Sequence, residues 1–253
     1  MVKKLKTISI REIKVILEAN NITKSFKDRL VLQRVSLSFA TKEIVGVLGP
    51  NGAGKTTLFS ILTGITSPDY GEVKLSGKDL TKMKVYQRAS AGVVYLPQDS
   101  SIFRGLSVED NIKSVLQITC SSKEEINLRL DELLDAFSIS QLRKVKATFL
   151  SGGERRKVEI ARALATSPSF LMLDEPFSGV DPISIAEVIT IIKALKESGI
   201  GVIMTDHNVR DTLQVIDRGY IIVNGKILVS GTSKEIINDK KSKEFYLGRS
   251  FSE

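Results

Sequence analysis

With 253 residues, 42% of them hydrophobic, the chain is long enough to bury one large core and to carry an inserted subdomain. Its apolar runs, such as 170–173, 202–204 and 220–223, fall far short of the ~18 residues needed to cross a bilayer, so no transmembrane segment is expected. A single cysteine, Cys120, excludes an internal disulfide. The formal charge of +8 is spread in modest clusters without interleaved aromatics, which argues against nucleic acid as a partner.

In chain order, residues 1–15 read as a basic extension. Met1-Val2-Lys3-Lys4-Leu5-Lys6 is followed by mixed Ile, Arg and Glu, with no apolar stretch and small-residue cleavage site. No secretory signal is read, and a cytoplasmic location is expected. Residues 31–39 alternate, with Val35, Leu37 and Phe39 on one face, and predict an antiparallel strand. The run Ile44-Val45-Gly46-Val47-Leu48 predicts a buried parallel strand. It leads into Gly49-Pro50-Asn51-Gly52-Ala53-Gly54-Lys55-Thr56 and Thr57, which fits G-x-x-x-x-G-K-[ST], and then a helix from Lys55 to Leu62 closed by Gly64. The glycines bring main-chain amides close to phosphate oxygens, Lys55 bridges the outer phosphates, and the Thr56 hydroxyl is a ligand for Mg²⁺. A glycine turn with no ligand is the plain alternative, disfavoured by the strand and helix on either side.

Between residues 98 and 151 the pattern becomes helical, with starts at Ser107-x-x-Asp110 and Ser122-x-x-Glu125 and an apolar stripe of Ile126, Leu130, Leu133, Leu134 and Phe137. Leu150-Ser151-Gly152-Gly153-Glu154 is a capping box opening a helix through Val158, Ala161 and Leu164. Its paired glycines also make it a second helix N-terminus suited to an anion. Phe170 to Leu173 predicts a strand that delivers Asp174 and Glu175 at its C-terminal end, where open α/β sheets bind ligands. Asp174 is expected to hold Mg²⁺ directly or through water, and Glu175 to polarise the water that attacks the γ-phosphate. Two solvated loop acids are the bland alternative. Asp181 caps a helix from Pro182 to Ser198 with Val188, Ile191, Ile192 and Leu195 inward. His207, the chain's one histidine, follows the apolar strand 201–204, and Asn224-Gly225 joins 220–223 to 226–229 as a type I′ hairpin.

With its phosphate loop, its acidic strand end and a second phosphate-grasping turn between them, the chain resembles the ATP-binding cassette (ABC) ATPases. The resemblance runs over about residues 16–253. It implies an α/β fold, a P-loop NTPase (RecA-like) core over about 16–98 and 166–230 with an antiparallel β flank. An inserted α-helical subdomain would occupy about 99–165 and a tail 231–253. ATP and Mg²⁺ are the implied cofactors. Gln98 matches the glutamine that reaches metal and attacking water and senses the membrane partner. His207 matches the histidine that contacts the γ-phosphate, and Phe26 the aromatic that stacks on adenine, where the family more often has Tyr. Ser178 and Asp181 match the loop that crosses the dimer interface. Ser151, Gly152, Gly153 and Glu154 match the signature turn that closes over the ATP held by a partner subunit. Two copies would thus enclose two ATP molecules and work a pair of transmembrane permease subunits.

Within the family, Ser101-Ile102-Phe103-Arg104-Gly105-Leu106, Asp181-Pro182-Ile183-Ser184, Thr205-Asp206-His207-Asn208 and Tyr246-Leu247-Gly248 look like the ATPase subunit of lipopolysaccharide exporters. That likeness implies lipopolysaccharide as a cargo not contacted directly, and a place on the cytoplasmic face of the inner membrane. It puts Phe103 and Arg104 in the groove that takes the permease's coupling helix, and Phe251 in a tail near the dimer interface. Two alternatives are the ATPase of a branched-chain amino-acid importer and a cassette protein acting on ribosomes or DNA. The second usually carries two cassettes or long coiled-coil insertions, which this chain lacks.

Overall fold

The alternation read over 31–39 continues in both directions as β2 (Arg29–Ala40), with Val35, Leu37 and Phe39 buried and the intervening serines exposed. A computed structural model describes residues 14–248, so nearly all of the basic extension, and Phe251, lie outside the described residues. β2 pairs antiparallel with β1 (Ile16–Phe26), which pairs in turn with β4 (Tyr70–Leu75). With β5 (Lys78–Asp79) they form a four-stranded sheet in the order β2-β1-β4-β5.

The continuous apolar runs become the interior of a second sheet. Parallel strands covered on both faces have no solvated side to make polar. β3 (Ile44–Leu48), β7 (Phe170–Asp174) and β8 (Gly201–Thr205) are buried at every position. With β6 (Val93–Leu96), β9 (Arg218–Val223) and β10 (Lys226–Thr232) they give the order β10-β9-β3-β8-β7-β6, parallel except for the β9–β10 hairpin. Asn224 and Gly225 at that hairpin have φ of 49° and 73°, as a type I′ turn requires. Successive side chains of each strand point to opposite faces. Val45, Val47, Phe170, Met172 and Ile203 meet the antiparallel sheet and the helix α1 (Lys55–Thr63). Ile44, Leu48, Leu171, Leu173, Val202 and Met204 meet the helices of the other layer. The expected α/β class, with a P-loop core and an antiparallel flank, is the observed one.

That other layer includes α3 (Val108–Thr119), α4 (Lys123–Ala136) and α5 (Gly152–Leu164), each opened by a serine hydroxyl accepting from the third helical amide, as the Ser-x-x-acid spacing predicts. α6 (Pro182–Glu197) buries Val188, Ile191, Ile192 and Leu195. Short helices without strong periodicity, such as α2 (Val85–Ser90), α7 (Val209–Val215) and α8 (Ser233–Asn238), are not among the sequence expectations. α2 contributes Arg88, fully buried. Its guanidinium donates to the carbonyls of Ile61 (2.6 Å) and Leu62 (2.7 Å) at the C-terminal end of α1, and to those of Thr81 and Met83. Among the described residues no helix is long and apolar enough to cross a membrane.

Candidate functional site

The loop between β3 and α1 is glycine-rich for steric reasons that the structure makes explicit. A Cβ on Gly49 (φ 148°) would sit 2.1 Å from the carbonyl oxygen of Ile222, and one on Gly54 (φ 106°) 2.7 Å from Leu32 Cδ2. The chain therefore turns tightly from strand to helix, and α1 starts without a side-chain cap and without an acid in its first turn. That leaves the positive end of the helix dipole for an external anion. Lys55 is buried, and its ammonium donates to the carbonyls of Gly49 (2.7 Å) and Pro50 (3.1 Å). Burial pulls its pKa down, against the pull of Glu175 and Asp174, which hold the charge in place.

In front of the loop lies a cavity of about 380 Å³, in the size range of small-molecule sites. Asn51 to Thr57 line it from one side and Asp174, Glu175 and His207 from the other, with Arg29, Val31 and Thr205 completing the wall. Asp174 ends β7 and is 5% exposed; its Oδ2 accepts from the Tyr95 hydroxyl at 2.8 Å. Burial raises the Asp174 pKa, and the Tyr95 hydrogen bond and the Lys55 charge oppose that rise. Burial and the same hydrogen bond push the Tyr95 phenol above its ordinary range.

Glu175 departs from a simple strand end. Its φ is 48°, a left-handed conformation that costs a non-glycine residue about 1 kcal/mol or more, and its amide donates to Thr205 O at 2.8 Å. The reversal turns the carboxylate toward two other predicted residues. Oε2 accepts from Gln98 Nε2 at 2.6 Å, and Oε1 lies 2.5 Å from His207 Nε2. Three residues separated by 77 and 32 positions thus meet at one carboxylate. Asp206 keeps both neighbouring loops in place: it is buried, its pKa is raised by that burial, and it accepts from the amides of Phe177 (2.9 Å) and Asn208 (2.8 Å). From the tail, Tyr246 reaches the backbone of Gly49, and burial pushes its phenol up to about 12.

The remaining predicted residues lie outside this cavity. Ser151 caps α5, and Glu154 Oε2 accepts from both the amide (2.9 Å) and the hydroxyl (2.8 Å) of Ser151, a closed capping box. Gly153 abuts the first turn of α6, where a Cβ would meet Ser184 Oγ at 2.7 Å. A second cavity, of about 270 Å³, runs from Gln98 and Arg104 to Gly152 and Ser178, with Glu175 shared between the two cavities. Asp181 Oδ1 accepts from the Ser184 amide at 3.0 Å. Phe103 is half exposed under the Arg162 guanidinium (5.2 Å), beside an apolar groove with Val94, Leu96 and Val115. The buried Asn111 grips both the amide (2.9 Å) and the carbonyl (3.0 Å) of Phe103. Phe26 is 48% exposed, not a core residue, with the Lys24 ammonium 5.4 Å from its ring, and does not line the 380 Å³ cavity. Arg29, Tyr95, Thr205, Asp206 and Tyr246 were not expected as site residues. Their signal was only adjacency, Tyr95 near Gln98 and Thr205-Asp206 before His207.

A family model described as ABC transporter matches residues 32–178. The chain is 51% identical over 234 residues to an uncharacterized ABC transporter ATP-binding protein of Rhizobium meliloti, covering 92% of this chain and 87% of that protein. It is 48% identical over 237 residues to the lipopolysaccharide export system ATP-binding protein LptB of Haemophilus influenzae, and 50% identical over 236 residues to that of Escherichia coli K12. Each of those two matches covers 93% of this chain and 98% of the relative. Among solved structures, the ADP conformation of MJ1267, an ATP-binding cassette of an ABC transporter, superimposes with a TM-score of 0.82 at 29% identity, covering 93% of this chain and 99% of MJ1267.

Proposed function

Because the chain belongs to the ABC transporter family, as one of its ATP-binding and ATP-hydrolysing subunits, we propose that it is the motor of lipopolysaccharide export from the inner membrane toward the outer membrane. It works as a homodimer on the cytoplasmic face of that membrane, bound to two transmembrane permease subunits, and does not touch the cargo. The observation that carries the chemistry is the meeting of Gln98 and His207 at Glu175 on the rim of the phosphate-loop cavity. The cargo rests on the likeness to LptB over 93% of the chain.

The amides of the loop and the start of α1 bind the phosphates of ATP, Lys55 neutralises the outer ones, and Phe26 stacks on adenine. No cluster of three acidic, His or Cys side chains forms a metal cage among the described residues. The cavity instead offers the Thr56 hydroxyl and the Asp174 carboxylate, with the Gln98 amide at its rim. Such a sparse oxygen set suits Mg²⁺, which prefers phosphate oxygens and water for its other ligands. Mg²⁺, when bound with ATP, neutralises charge that develops on the transferred phosphoryl group. Glu175 accepts the proton of the attacking water, and His207, released from Glu175, contacts the γ-phosphate. Ser151, Gly152 and Gly153 of a second copy complete the charge stabilisation, with Ser178 and Asp181 at the joint between copies. Phe103 at the apolar groove and Arg104 at the second cavity receive the permease's coupling helix.

The test uses Glu175→Gln. That protein is expected to bind ATP normally, to lose about 10²-fold or more of turnover, and to accumulate as an ATP-held dimer. Near-normal phosphate release would remove Glu175 from the role. A gentle detergent pull-down of the same tagged variant from its own cells then reads the cargo. Two permeases carrying periplasmic folds support lipopolysaccharide export, whereas permeases accompanied by a solute-binding protein make the subunit an importer's motor.

A further inference from the structure

Asp174 is nearly buried, yet the one protein group that donates a hydrogen bond to its side chain among the described residues is the hydroxyl of Tyr95, 2.8 Å from Oδ2. Among the described residues no protein group donates to Oδ1. A carboxylate held at one oxygen is restrained in how it presents the other, and Asp174 lines the same cavity as Thr56. Tyr95 is itself held. It lies on β6, paired in register opposite Met172 of the adjacent β7. Its ring meets Phe59 of α1 edge-on, with centroids 6.4 Å apart and planes at 68°. Phe59 follows Thr56 by one helical turn, so one aromatic contact and one hydrogen bond tie the helix that carries Thr56 to the carboxylate of Asp174.

We infer that Tyr95 is a positioning residue for the divalent cation: its hydroxyl, braced by Phe59, orients Asp174 so that Oδ1 and the Thr56 hydroxyl face the same metal position. The inference rests on the assignment of Asp174 and Thr56 to the metal made above. It gives a phenol, and not merely an aromatic ring, a reason to stand at this position beside the catalytic strands. A ring alone would pack on Phe59 equally well and would leave Asp174 free to turn.

The experiment is Tyr95→Phe, which removes one oxygen atom and keeps the ring against Phe59, so that the fold is retained. Mn²⁺ replaces Mg²⁺ as a spin probe. It is titrated by electron paramagnetic resonance into the full-length wild-type protein, Tyr95→Phe and Asp174→Asn, each saturated with ADP. ADP binding is also measured in EDTA. Loss of an outer hydrogen-bond partner of a metal ligand typically costs about 10–100-fold in metal affinity. Tyr95→Phe is therefore expected to weaken Mn²⁺ about 10-fold, with metal-free ADP binding unchanged within about twofold. If Asp174→Asn loses Mn²⁺ while Tyr95→Phe binds it like wild type, the inference is overturned and the metal assignment stands. If neither variant changes Mn²⁺ affinity, the metal assignment fails and the inference falls with it. If Tyr95→Phe weakens ADP equally in EDTA, the hydroxyl shapes the nucleotide pocket in general and the role proposed here is wrong.

Discussion

Gly153 stands where two reasons for a glycine coincide, and Gly153→Ala separates them. It is the second residue of α5, close against the first turn of α6, and an added methyl would lie 2.7 Å from Ser184 Oγ and 3.0 Å from Ser184 Cβ. Both distances are below contact, and the nearer atoms belong to a short side chain with no long end to swing away. Overpacking of this kind costs about 1–3 kcal/mol, while alanine in place of glycine in a helix returns up to about 1 kcal/mol. A net loss of about 1 kcal/mol follows, or roughly 2–4 °C in Tm for a chain of this size. Adding Ser184→Gly removes both clashing atoms, so thermal melts of the two single variants and the double variant should show a coupling of about 1 kcal/mol in the double variant's favour. ATP turnover should not follow stability. If Gly153 also admits a partner's γ-phosphate, the double variant melts close to Ser184→Gly and yet hydrolyses ATP poorly. Recovery of both stability and turnover would reduce the glycine to local packing, and an unshifted Tm in Gly153→Ala would refute the packing argument itself.

Arg88→Met keeps a buried stem but removes the donors to four backbone carbonyls. Each buried acceptor left bare costs about 1–3 kcal/mol; Ile61 O keeps the Gly64 amide, and relief of burying a charge whose pKa has fallen to about 10 offsets a further part. A net loss of about 3 kcal/mol and a Tm lower by roughly 6–12 °C are expected in thermal melts, with ATP affinity little changed because the phosphate loop is at the other end of α1. Glu109, buried in the first turn of α3, accepts from Arg143 (2.8 Å) and Lys144, and these cations hold its pKa at about 2. Its folded pKa lies below the unfolded value, so its contribution is fully present above about pH 4.5 and is lost as pH falls toward 2. Urea titrations should show wild type more stable than Glu109→Gln by about 2 kcal/mol at pH 7, discounted for the exposure of Lys144, with the gap closing on acidification. Phe26→Ala should raise KM for ATP about 2–10-fold at little cost in kcat, from the 0.5–1.5 kcal/mol typical of an aromatic stack, and Phe26→Tyr should leave it unchanged. An unaltered KM in Phe26→Ala would place adenine elsewhere.

Much of the fold was legible because its signals are local. Strands buried on both faces have to be apolar throughout, as β3, β7 and β8 are. Ser107, Ser122 and Ser151 announce helix starts through a bond that spans three residues. The 224–225 turn needs two residues that tolerate positive φ. What stayed hidden is chemistry between positions remote in the chain. Tyr95 meets Asp174 across 79 residues, Arg88 serves the end of α1 from 26 residues away, and Tyr246 reaches back to Gly49. No periodicity records such pairs. The left-handed φ of Glu175 was hidden for another reason, since Glu carries no local preference for that conformation. There the fold overrides propensity, with the hydrogen bond from the Glu175 amide to the Thr205 carbonyl holding the turn, and the strained residue is the proposed base.

The two helix starts proposed to grasp phosphate differ in how completely each is satisfied on its own, and the difference bears on how a dimer would cycle. α1 is preceded by Gly54, has no side-chain cap and no acid in its first turn, and so keeps its demand for an anion. α5 is capped by Ser151, whose amide and hydroxyl are both taken up by Glu154. For Ser151 to bind a partner's γ-phosphate, its hydroxyl would have to leave Glu154, at a cost of about 1 kcal/mol for a capping interaction. ATP would therefore bind first at α1, where nothing has to be broken. Only a γ-phosphate already fixed there would repay the exchange at Ser151. Once hydrolysis removes the bridging charge, Glu154 is in place to take Ser151 back. In the proposed dimer a self-capped turn at Ser151 would favour reopening, and the energy of closure would come from the nucleotide and not from the contact between the two protein surfaces.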